Sequence, residues 1–322
     1  MAQKLAVVFG GSGFLGRHVV RELAARGWRV RAVMRRPHLA LQLKPMGVVG
    51  QIQLAQGNVR YPASIEKALA GADAVVNLVG ILHQSGAQRF SAVQAAGARL
   101  IAESAAAAGV KSLVHVSAIG ADPEAPSLYA RAKAAGEAGV AAALAAATIL
   151  RPSIIFGPDD HFFNRFAALA VSTPASPLPL FGGGRTRFQP VYVDDVADAV
   201  CEALARPDAE GRLYELGGPR VYTFRELMEL MLAEIGRRRP LVPIPFALAP
   251  LVGLFGELAG ALPLIDPPIT RDQIKLLKRD NVVSEGALTI GDLGLKPATV
   301  EAILPTYMTP YRKYGQFAER LA

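Results

Sequence analysis

The sequence predicts an α/β protein with a doubly wound parallel sheet and a smaller, mostly helical C-terminal lobe. Short apolar runs alternate with helical patterns through the first half of the chain, and a glycine-rich turn follows the first run. Such alternation is typical of βαβ units, whose parallel strands are buried on both faces. With 322 residues, of which 51% are hydrophobic and 19% charged, the chain can bury a large core.

Six apolar runs are predicted as strands, with helices between them. In chain order the strands are KLAVVFG, WRVRAVM, IQLAQG, DAVVNLVG, SLVHVSA and ATILRPS. The intervening helices are FLGRHVVRELAARG, SIEKALAG, RLIAESAAAAG and an alanine-rich helix that contains Tyr129. Beyond residue 156 the chain becomes rich in Pro and Gly. There we expect a strand in RFQPVYV, a helix from Asp194 to Ala205, a strand in RLYELGG and then mostly helices.

Basic residues are concentrated near the N-terminus. The formal net charge is +8, and the first sixty residues carry ten Lys or Arg against the single acid Glu22. A basic face of this kind favours a polyanion, which leaves nucleic acid, an anionic membrane or a phosphorylated cofactor. The helix motifs and interleaved aromatics of nucleic-acid readers do not accompany it, so we expect no nucleic acid as a partner.

Cysteine and histidine usage excludes two further classes. The chain has one cysteine, Cys201, which rules out a disulfide framework, and its five histidines are scattered without a metal-ligand spacing, so we expect no metal. The N-terminal run MAQKLAVVFGG reaches glycines after about five apolar residues, which is too short for a signal-peptide core. We therefore expect a cytoplasmic location, or the cytoplasmic side of a membrane.

The motif GGSGFLG, residues 10 to 16, follows the first strand and opens the first helix. In that context Gly10 permits a tight turn, Gly13 lets backbone approach a pyrophosphate at the helix N-terminus, and Gly16 allows helix and strand to pack closely. The alternative is a turn with a structural role only. The predicted phosphate site consists of Gly10, Ser12, Gly13, Phe14, Leu15 and Gly16.

The end of the second strand selects between the two nicotinamide dinucleotides. An NAD-selecting fold carries an acid there for the ribose 2'-hydroxyl, whereas this chain has Arg35 and Arg36. A guanidinium can donate two parallel hydrogen bonds to a 2'-phosphate, so the sequence favours NADP(H). The alternative is that both arginines are solvated loop residues.

The segment YARAK places Tyr129 and Lys133 four residues apart in the alanine-rich helix. One helical turn brings both side chains onto the same face. This arrangement is typical of hydride-transfer enzymes, in which a tyrosine hydroxyl exchanges a proton with a carbonyl. There we expect the lysine ammonium to lower the pKa of the tyrosine from its ordinary value near 10.

Taken together, the motifs resemble the short-chain dehydrogenase/reductase superfamily in its extended form. The matching segments are GGSGFLG, GNV at 57 to 59, NLVG at 77 to 80, Tyr129 with Lys133, RPSIIFGP at 151 to 158 and PVYVDDVADAV at 190 to 200. The resemblance implies a Rossmann fold with an NAD(P)-binding domain over residues 1–156 and 188–212. Residues 157–187 and 213–322 would form a smaller lobe for a substrate or partner.

The same resemblance implies roles for residues outside the glycine-rich turn. Asn58 and Val59 would border the adenine, with Asn58 in place of the commoner aspartate. Leu78, Val79, Gly80, Pro152 and Ile155 would line the nicotinamide half, and Lys133 would also bind ribose hydroxyls. Ser117 matches the first of the usual serines after the fifth strand, but Ala118 and Ile119 follow. The hydroxyl that holds a substrate carbonyl is therefore expected to be missing.

A narrower resemblance covers nearly the whole chain. PPITRDQIKLLKRDNVVS at 267 to 284 and LGLKPATVEAILPTY at 293 to 307 are similar to the NAD(P)H-binding accessory subunit of respiratory complex I and its bacterial relatives. In that family the nucleotide is a structural ligand. The resemblance implies complex I subunits as partners and a peripheral position on the cytoplasmic side of the inner membrane.

An apolar stretch from Gly236 to Ile265 raises the question of membrane contact. It is about long enough to span a bilayer, but Glu257 and several Pro and Gly residues interrupt it. Arginines 237–239 beside apolar residues fit a surface contact with anionic lipid through residues 237–265. The alternative is an ordinary core helix of the second lobe.

Two hypotheses about function follow. The first is an NADPH-binding accessory subunit of a bacterial complex I, in which Tyr129 and Lys133 serve cofactor binding alone. The second is an NADP-dependent reductase or nucleotide-sugar epimerase, in which Tyr129 is the acid/base and Lys133 lowers its pKa. Whether a small-molecule substrate is bound at all is left open by the sequence.

Overall fold

A computed structural model gives the fold and describes residues 3–173, 177–249, 253, 270–315 and 317. The chain forms two compact units, each assembled from three stretches of sequence. Unit 1 contains Met1–Pro152, Val193–Leu216 and Ser284–Lys296. Unit 2 contains Ser153–Tyr192, Gly217–Val283 and Pro297–Ala322.

The described strands and helices are numbered in chain order. The strands are β1 (Leu5–Phe9), β2 (Arg29–Met34), β3 (Ile52–Gln56), β4 (Ala74–Asn77), β5 (Ser112–Val116), β6 (Thr148–Pro152), β7 (Ile155–Phe156), β8 (Leu178–Phe181), β9 (Arg187–Phe188), β10 (Val191–Tyr192), β11 (Leu213–Leu216), β12 (Tyr222–Thr223), β13 (Leu241–Ile244) and β14 (Leu288–Thr289). The helices are α1 (Phe14–Ala25), α2 (Pro62–Leu69), α3 (Ala96–Ala107), α4 (Leu128–Ala143), α5 (Phe163–Ser172), α6 (Val193–Ala205), α7 (Phe224–Glu234), α8 (Arg271–Leu276) and α9 (Val300–Tyr307).

Unit 1 is built on one parallel sheet of eight described strands. Their spatial order is β14, β11, β6, β5, β4, β1, β2, β3, and every pairing between neighbours is parallel. The chain winds outward from β1 to β3, then returns and places β4 on the other side of β1. The predicted doubly wound sheet is therefore confirmed, and so are all six predicted strands. A reversal of this kind opens a crevice at the carboxyl ends of β1 and β4.

Helix α1 shows why these residues form elements of a layered fold. Val19, Val20 and Leu23 are fully buried, at the spacing that places side chains on one face of a helix. Burial of each such side chain contributes about 1.5–3 kcal/mol. Strand β1 is buried along its whole length, as expected for a strand with helices on both faces of its sheet.

Unit 2 has its own core, which is rich in aromatic side chains. Phe156, Phe163, Phe188 and Phe224 are all buried in one cluster, which Leu227, Met228 and Met231 of α7 extend. Asp160 is buried beside them, where its carboxylate accepts the Tyr307 hydroxyl at 2.7 Å and the backbone N–H groups of Gly157, Phe162 and Asn164. These four hydrogen bonds offset the cost of burying the carboxylate, and those from the Phe162 and Asn164 N–H groups hold the start of α5.

Three expectations about the elements need correction. RFQPVYV forms two short strands, β9 and β10, because they pair with different partners and Pro190 between them has no backbone N–H to donate. The sequence beyond residue 217 is less helical than expected, since β12, β13 and β14 lie there. In the apolar stretch, Leu241–Ile244 is a strand paired with β8 and not part of a core helix. Residues 250–252 and 254–265 of that stretch lie outside the described residues.

Candidate functional site at the carboxyl ends of the parallel strands

Gly10 lies at the point where the winding of the sheet reverses. Its φ of +84° is in the left-handed region, and its N–H donates to the Val33 carbonyl at 3.0 Å. A Cβ on Gly10 would lie 3.2 Å from the carbonyl carbon of Leu78. The turn thus needs glycine for its conformation and for its contact with the Leu78–Val79 backbone after β4.

The start of α1 has the features of an anion site. A Cβ on Gly16 would lie 2.1 Å from the Gly10 carbonyl oxygen, so Gly16 is required by the packing of α1 on the turn. At Gly13, the N-cap, a Cβ would meet only that same oxygen within 4 Å, at 3.3 Å. No side chain caps the helix. The N–H groups of the first turn, over Phe14, Leu15 and Gly16, therefore remain for an anionic ligand approaching beside Ser12 and Gly13.

Arg35 and Arg36 follow β2 at the same edge of the sheet. Both side chains are exposed, and among the described residues neither has an ion-pair partner. The Gly57 N–H donates to the Met34 carbonyl at 2.9 Å, which holds the segment after β3 beside them. Two guanidiniums with unused donors fit a phosphate ester at this position.

Asn58 and Val59 are held by local hydrogen bonds and packing. The Asn58 N–H donates to Ser64 Oγ at 2.8 Å, and Asn58 Oδ1 accepts the Arg60 N–H at 3.2 Å. Val59 is buried. These two residues stand at the edge formed by β1, β2 and β3, and their contact with an adenine remains a prediction.

Asn77 and His115 form a buried pair that the sequence analysis did not identify. They are register partners on β4 and β5, and Asn77 Nδ2 lies 3.1 Å from His115 Nδ1. Asn77 Oδ1 accepts the Val79 N–H at 3.1 Å, which orients the amide so that Nδ2 donates to the imidazole. His115 Nδ1 must then accept, and the ring proton lies on Nε2.

The environment of His115 opposes protonation. The ring is buried near the Lys133 ammonium, and its Nε2 has no hydrogen-bond partner among the described residues. Burial, reinforced by Lys133, lowers the pKa of His115 to about 3. A second ring proton would also point at the Asn77 amide, so the neutral form is strongly preferred.

We expect the stability of the protein to fall with acidification because of His115. Between pH 6.5 and about pH 3, His115 is protonated in the unfolded chain but neutral in the folded protein. The free energy of unfolding should therefore decrease by roughly 1.4 kcal/mol per pH unit in that window. Urea unfolding between pH 7 and pH 4 measures the slope, and His115→Gln should reduce it by that amount. Identical slopes for both proteins would contradict the expectation.

The side chains of Lys133 and Gln94 both approach Gly80. A Cβ on Gly80 would be 3.7 Å from Lys133 Nζ and 3.8 Å from Gln94 Nε2. Lys133 is buried and donates to the Val116 carbonyl at 3.1 Å, while burial lowers its pKa to about 8. Gln94 lies in a π-helical turn, Ser91–Ala95, and its buried Oε1 has no partner among the described residues. Turns of this type are frequent at functional sites. The sequence analysis did not identify Gln94, although a polar residue among apolar neighbours indicates such a site.

The expected effect of Lys133 on Tyr129 is wrong. The two residues do lie one turn apart on α4, which begins at the Ser127 N-cap. Tyr129 packs edge-on against Phe90, with ring centroids 5.7 Å apart. Burial raises the pKa of Tyr129 to about 12. Desolvation is the cause of this rise, which is opposite in direction to the lowering expected from Lys133.

The remaining predicted residues follow β5 and β6. Ser117 is buried, its N–H donates to the Leu150 carbonyl at 2.7 Å, and its Oγ has no partner in the described part of the chain. Pro152 ends β6 in unit 1 and accepts the Ile119 N–H at 3.0 Å. Ile155 belongs to β7 in unit 2.

The predicted residues of unit 1 that converge are those at one edge of its sheet. These residues all follow the carboxyl end of a parallel strand or face such an end. They are the glycine-rich turn, Arg35 with Arg36, Asn58, the Leu78–Gly80 segment, Ser117 and Lys133. The bare helix N-terminus and the unpartnered atoms of Ser117 and Gln94 fit a phosphorylated, hydroxyl-bearing ligand.

Comparison with known proteins agrees with this geometry. Residues 6–217 match the NAD dependent epimerase/dehydratase family. The chain belongs to this family. That membership also confirms the resemblance to extended short-chain dehydrogenases/reductases drawn from the motifs.

The relatives of this family member differ in their stated roles. The chain is 37% identical over 320 residues to the mitochondrial NADH dehydrogenase (ubiquinone) 1 alpha subcomplex subunit 9 of Arabidopsis thaliana. That alignment covers 97% of this chain and 79% of the relative. The chain is 32% identical over 246 residues to the ceramide reductase of Caulobacter vibrioides, covering 76% of this chain and 74% of the relative. The crystal structure of a dTDP-glucose 4,6-dehydratase from Streptomyces venezuelae with NAD bound superposes with a TM-score of 0.72 at 22% identity, covering 99% of this chain and 100% of that chain.

Proposed function

We propose that this protein binds NADPH and is an accessory subunit of a bacterial respiratory complex I, with the nucleotide held as a structural ligand. One observation carries the proposal. The family match ends at residue 217, whereas the similarity to the Arabidopsis complex I subunit extends over 97% of the chain. The likeness therefore includes most of unit 2, which a nucleotide-binding fold alone does not require.

The choice of NADPH rests on the tip of β2. Arg35 and Arg36 are exposed and unpaired among the described residues, at the position where an NAD-selecting fold carries an acid. An acid would repel a 2'-phosphate, whereas two guanidiniums attract it and bind it in forks. The glycine-rich turn would hold the pyrophosphate, and Lys133 with Ser117 would bind hydroxyls of the nicotinamide half.

A structural role for the nucleotide is supported by the residues around Tyr129. Ala118 and Ile119 follow Ser117, and by the resemblance an enzyme of the superfamily would carry in this segment the hydroxyl that holds a substrate carbonyl. Burial raises the pKa of Tyr129 to about 12, which is far from the neutral value that suits general acid/base catalysis. The bound nucleotide would instead stabilise the folded chain by mass action.

The proposed partners are complex I subunits, and the proposed location is peripheral, on the cytoplasmic side of the inner membrane. None of the helices in the described ranges combines the length and apolar character needed to cross a bilayer. The test is to isolate active complex I from native membranes and to search it for this chain by mass spectrometry. Absence of the chain from an intact, active preparation would overturn the proposal.

A second candidate function is an NADP-dependent reductase, which the similarity to the Caulobacter ceramide reductase favours. Tyr129 would then be the acid/base, and Lys133 would hold the nicotinamide half. The two functions share their cofactor residues, so binding alone does not separate them.

Substitution of Tyr129 separates the two functions. If Tyr129 serves cofactor binding alone, we expect Tyr129→Phe to weaken NADPH about fivefold, because one neutral hydrogen bond is lost. Lys133→Met should weaken NADPH about tenfold, because it removes a charge-assisted donor. Fluorescence titration measures both, and NADPH oxidation is followed with ketone and aldehyde substrates, among them a ketone analogue of ceramide. Turnover by the wild type that falls by roughly 10² or more in Tyr129→Phe would establish the reductase.

A further inference from the structure

An arginine-lined groove runs along α7 in unit 2. It is open and has a volume of about 460 Å³. Arg225, Glu229, Leu232 and Ala233 of α7 line one wall, at the spacing that places residues on one helix face, and Arg237, Arg238, Arg239 and Leu241 complete it. We call it the α7 groove. The described residues that line it include four arginines and one glutamate.

A helix end with fixed geometry positions three of these arginines. Gly236 has a φ of +63°, its N–H donates to the Ala233 carbonyl at 3.1 Å, and the Arg237 N–H donates to the Leu232 carbonyl at 3.0 Å. This pair of bonds is a Schellman motif, which terminates α7 and turns the chain sharply. Arg237, Arg238 and Arg239 therefore return beside the helix before β13 begins.

Two of the arginines are anchored and two are available. Arg237 Nε donates to the Tyr311 carbonyl at 3.3 Å, and Arg239 donates through Nε and Nη2 to the Ala170 carbonyl. Arg238 is exposed and has no hydrogen-bond or ion-pair partner among the described residues. Arg225 has only Glu229, with Nη1 and Oε1 3.7 Å apart and both side chains about half exposed. Arg225 and Arg238 therefore have unused hydrogen-bond donors, and they lie in the same groove as the anchored guanidiniums of Arg237 and Arg239.

The helix dipole does not account for this arrangement. Cations near the C-terminal end of α7 are favoured by the dipole, which suits Arg237. Arg225 lies in the first turn of the same helix, where the dipole disfavours a cation. Four like charges around one groove also repel each other, and a bound anion relieves both costs.

The neighbouring surface distinguishes a lipid phosphate from a free one. Val242 and Leu248, which follow the groove residue Leu241, are 43% and 54% exposed. The sequence then continues as the longest apolar stretch of the chain. Arginines beside exposed apolar side chains are typical of proteins that contact the headgroup region of an anionic membrane.

We propose that the α7 groove binds the phosphate of an anionic phospholipid, with Arg225 and Arg238 as the principal ligands and Arg237 and Arg239 as fixed neighbouring charges. This site lies in unit 2 and is independent of the nucleotide site in unit 1. A guanidinium fork matches two phosphate oxygens, whereas lysine would offer charge without that geometry.

Vesicle binding tests the proposal. The full chain, loaded with NADPH, is mixed with vesicles of phosphatidylcholine alone or of phosphatidylcholine and phosphatidylglycerol in equal parts, and the bound fraction is measured by sedimentation. We expect binding only to the vesicles with phosphatidylglycerol. Arg238→Gln should weaken it about fivefold, and the Arg225→Gln/Arg238→Gln double variant about 25-fold. Glu229→Gln should strengthen binding, because Glu229 is the one carboxylate among the described residues that line the groove.

Controls keep the outcome decisive. Arg29→Gln, at an exposed arginine of unit 1, changes the net charge equally and should bind as the wild type does. Arg238→Lys keeps the charge and should lose part of the affinity if the fork matters. NADPH affinity and the thermal midpoint should be unchanged in every variant. A lower midpoint would indicate a folding defect, and a lower NADPH affinity would indicate a defect at the nucleotide site.

Several results would overturn the phospholipid assignment. The double variant could retain full vesicle binding, or Arg29→Gln could lose as much as Arg238→Gln. Inorganic phosphate or pyrophosphate could bind the groove, as judged by loss in the double variant, while vesicles do not. A polyglutamate peptide bound at these arginines without vesicle binding would instead indicate an acidic protein segment.

Discussion

Replacing Arg35 and Arg36 together by alanine should weaken NADPH binding about 100-fold and leave NADH binding nearly unchanged. Each guanidinium is expected to donate to the 2'-phosphate, and a hydrogen bond to a charged group contributes about 1.5–3 kcal/mol. Two such contributions at the lower value correspond to about 100-fold in the dissociation constant. NADH has a hydroxyl in place of the phosphate and gains little from either arginine. Fluorescence or calorimetric titration of both nucleotides gives the ratio directly.

The control for this experiment is another exposed arginine of the same strand. Arg29 lies at the opposite end of β2 and should leave the NADPH to NADH ratio unchanged when replaced by alanine. Arg35→Asp should go further than alanine and favour NADH, because it places an acid opposite the ribose hydroxyls. Equal losses for NADH and NADPH in the double variant, or a wild type that prefers NADH, would contradict the assignment of the 2'-phosphate.

Gly16→Ala should destabilise the protein by at least about 3 kcal/mol and abolish nucleotide binding. The added methyl would lie 2.1 Å from the Gly10 carbonyl oxygen and 2.8 Å from the Gly11 backbone, so it meets main chain that has no alternative rotamer. Relief requires α1 to move away from the turn, which separates its first N–H groups from the phosphate position. The urea midpoint and NADPH titration measure the two effects.

Gly13→Ala is the matched control, since it adds the same methyl one turn earlier. There the nearest atom would be the Gly10 carbonyl oxygen at 3.3 Å, a contact that a shift of a few tenths of an ångström would relieve, so the urea midpoint should fall much less than in Gly16→Ala. NADPH should nevertheless weaken by about tenfold, the loss expected when one charge-assisted backbone hydrogen bond to a phosphate is disturbed. A Gly16→Ala protein with the midpoint and affinity of the wild type would show that the turn is not the phosphate site.

The sheet was predictable because its signals are local. Each of β1 to β6 is a short apolar run bounded by turn residues, and α1 and α4 carry their helical patterns within one segment. The glycine-rich turn was predictable for the same reason, since backbone conformation at Gly10 and packing at Gly16 are dictated by neighbours close in sequence. Membership of the epimerase/dehydratase family then agreed with what these segments implied.

Features that depend on distant packing were not predictable. The strand β14 has two residues and pairs with β11, which lies more than seventy positions earlier. The buried Asn77–His115 pair becomes visible only when β4 and β5 are brought together, and the burial of Gln94 only when the π-helical turn is placed. The pKa of Tyr129 was misjudged because spacing indicates a nearby lysine but says nothing about desolvation, which here raises the pKa.

The order in which the sheet strands occur in the chain has a consequence for biosynthesis. Six of its eight described strands are complete by Pro152, but β11 and β14 follow only at Leu213–Leu216 and Leu288–Thr289. While the ribosome makes the intervening sixty residues, the nascent sheet exposes the hydrogen-bonding edge of β6. Chaperones that shield an open strand edge should therefore raise the yield of this protein, and slow translation before β11 should lower it.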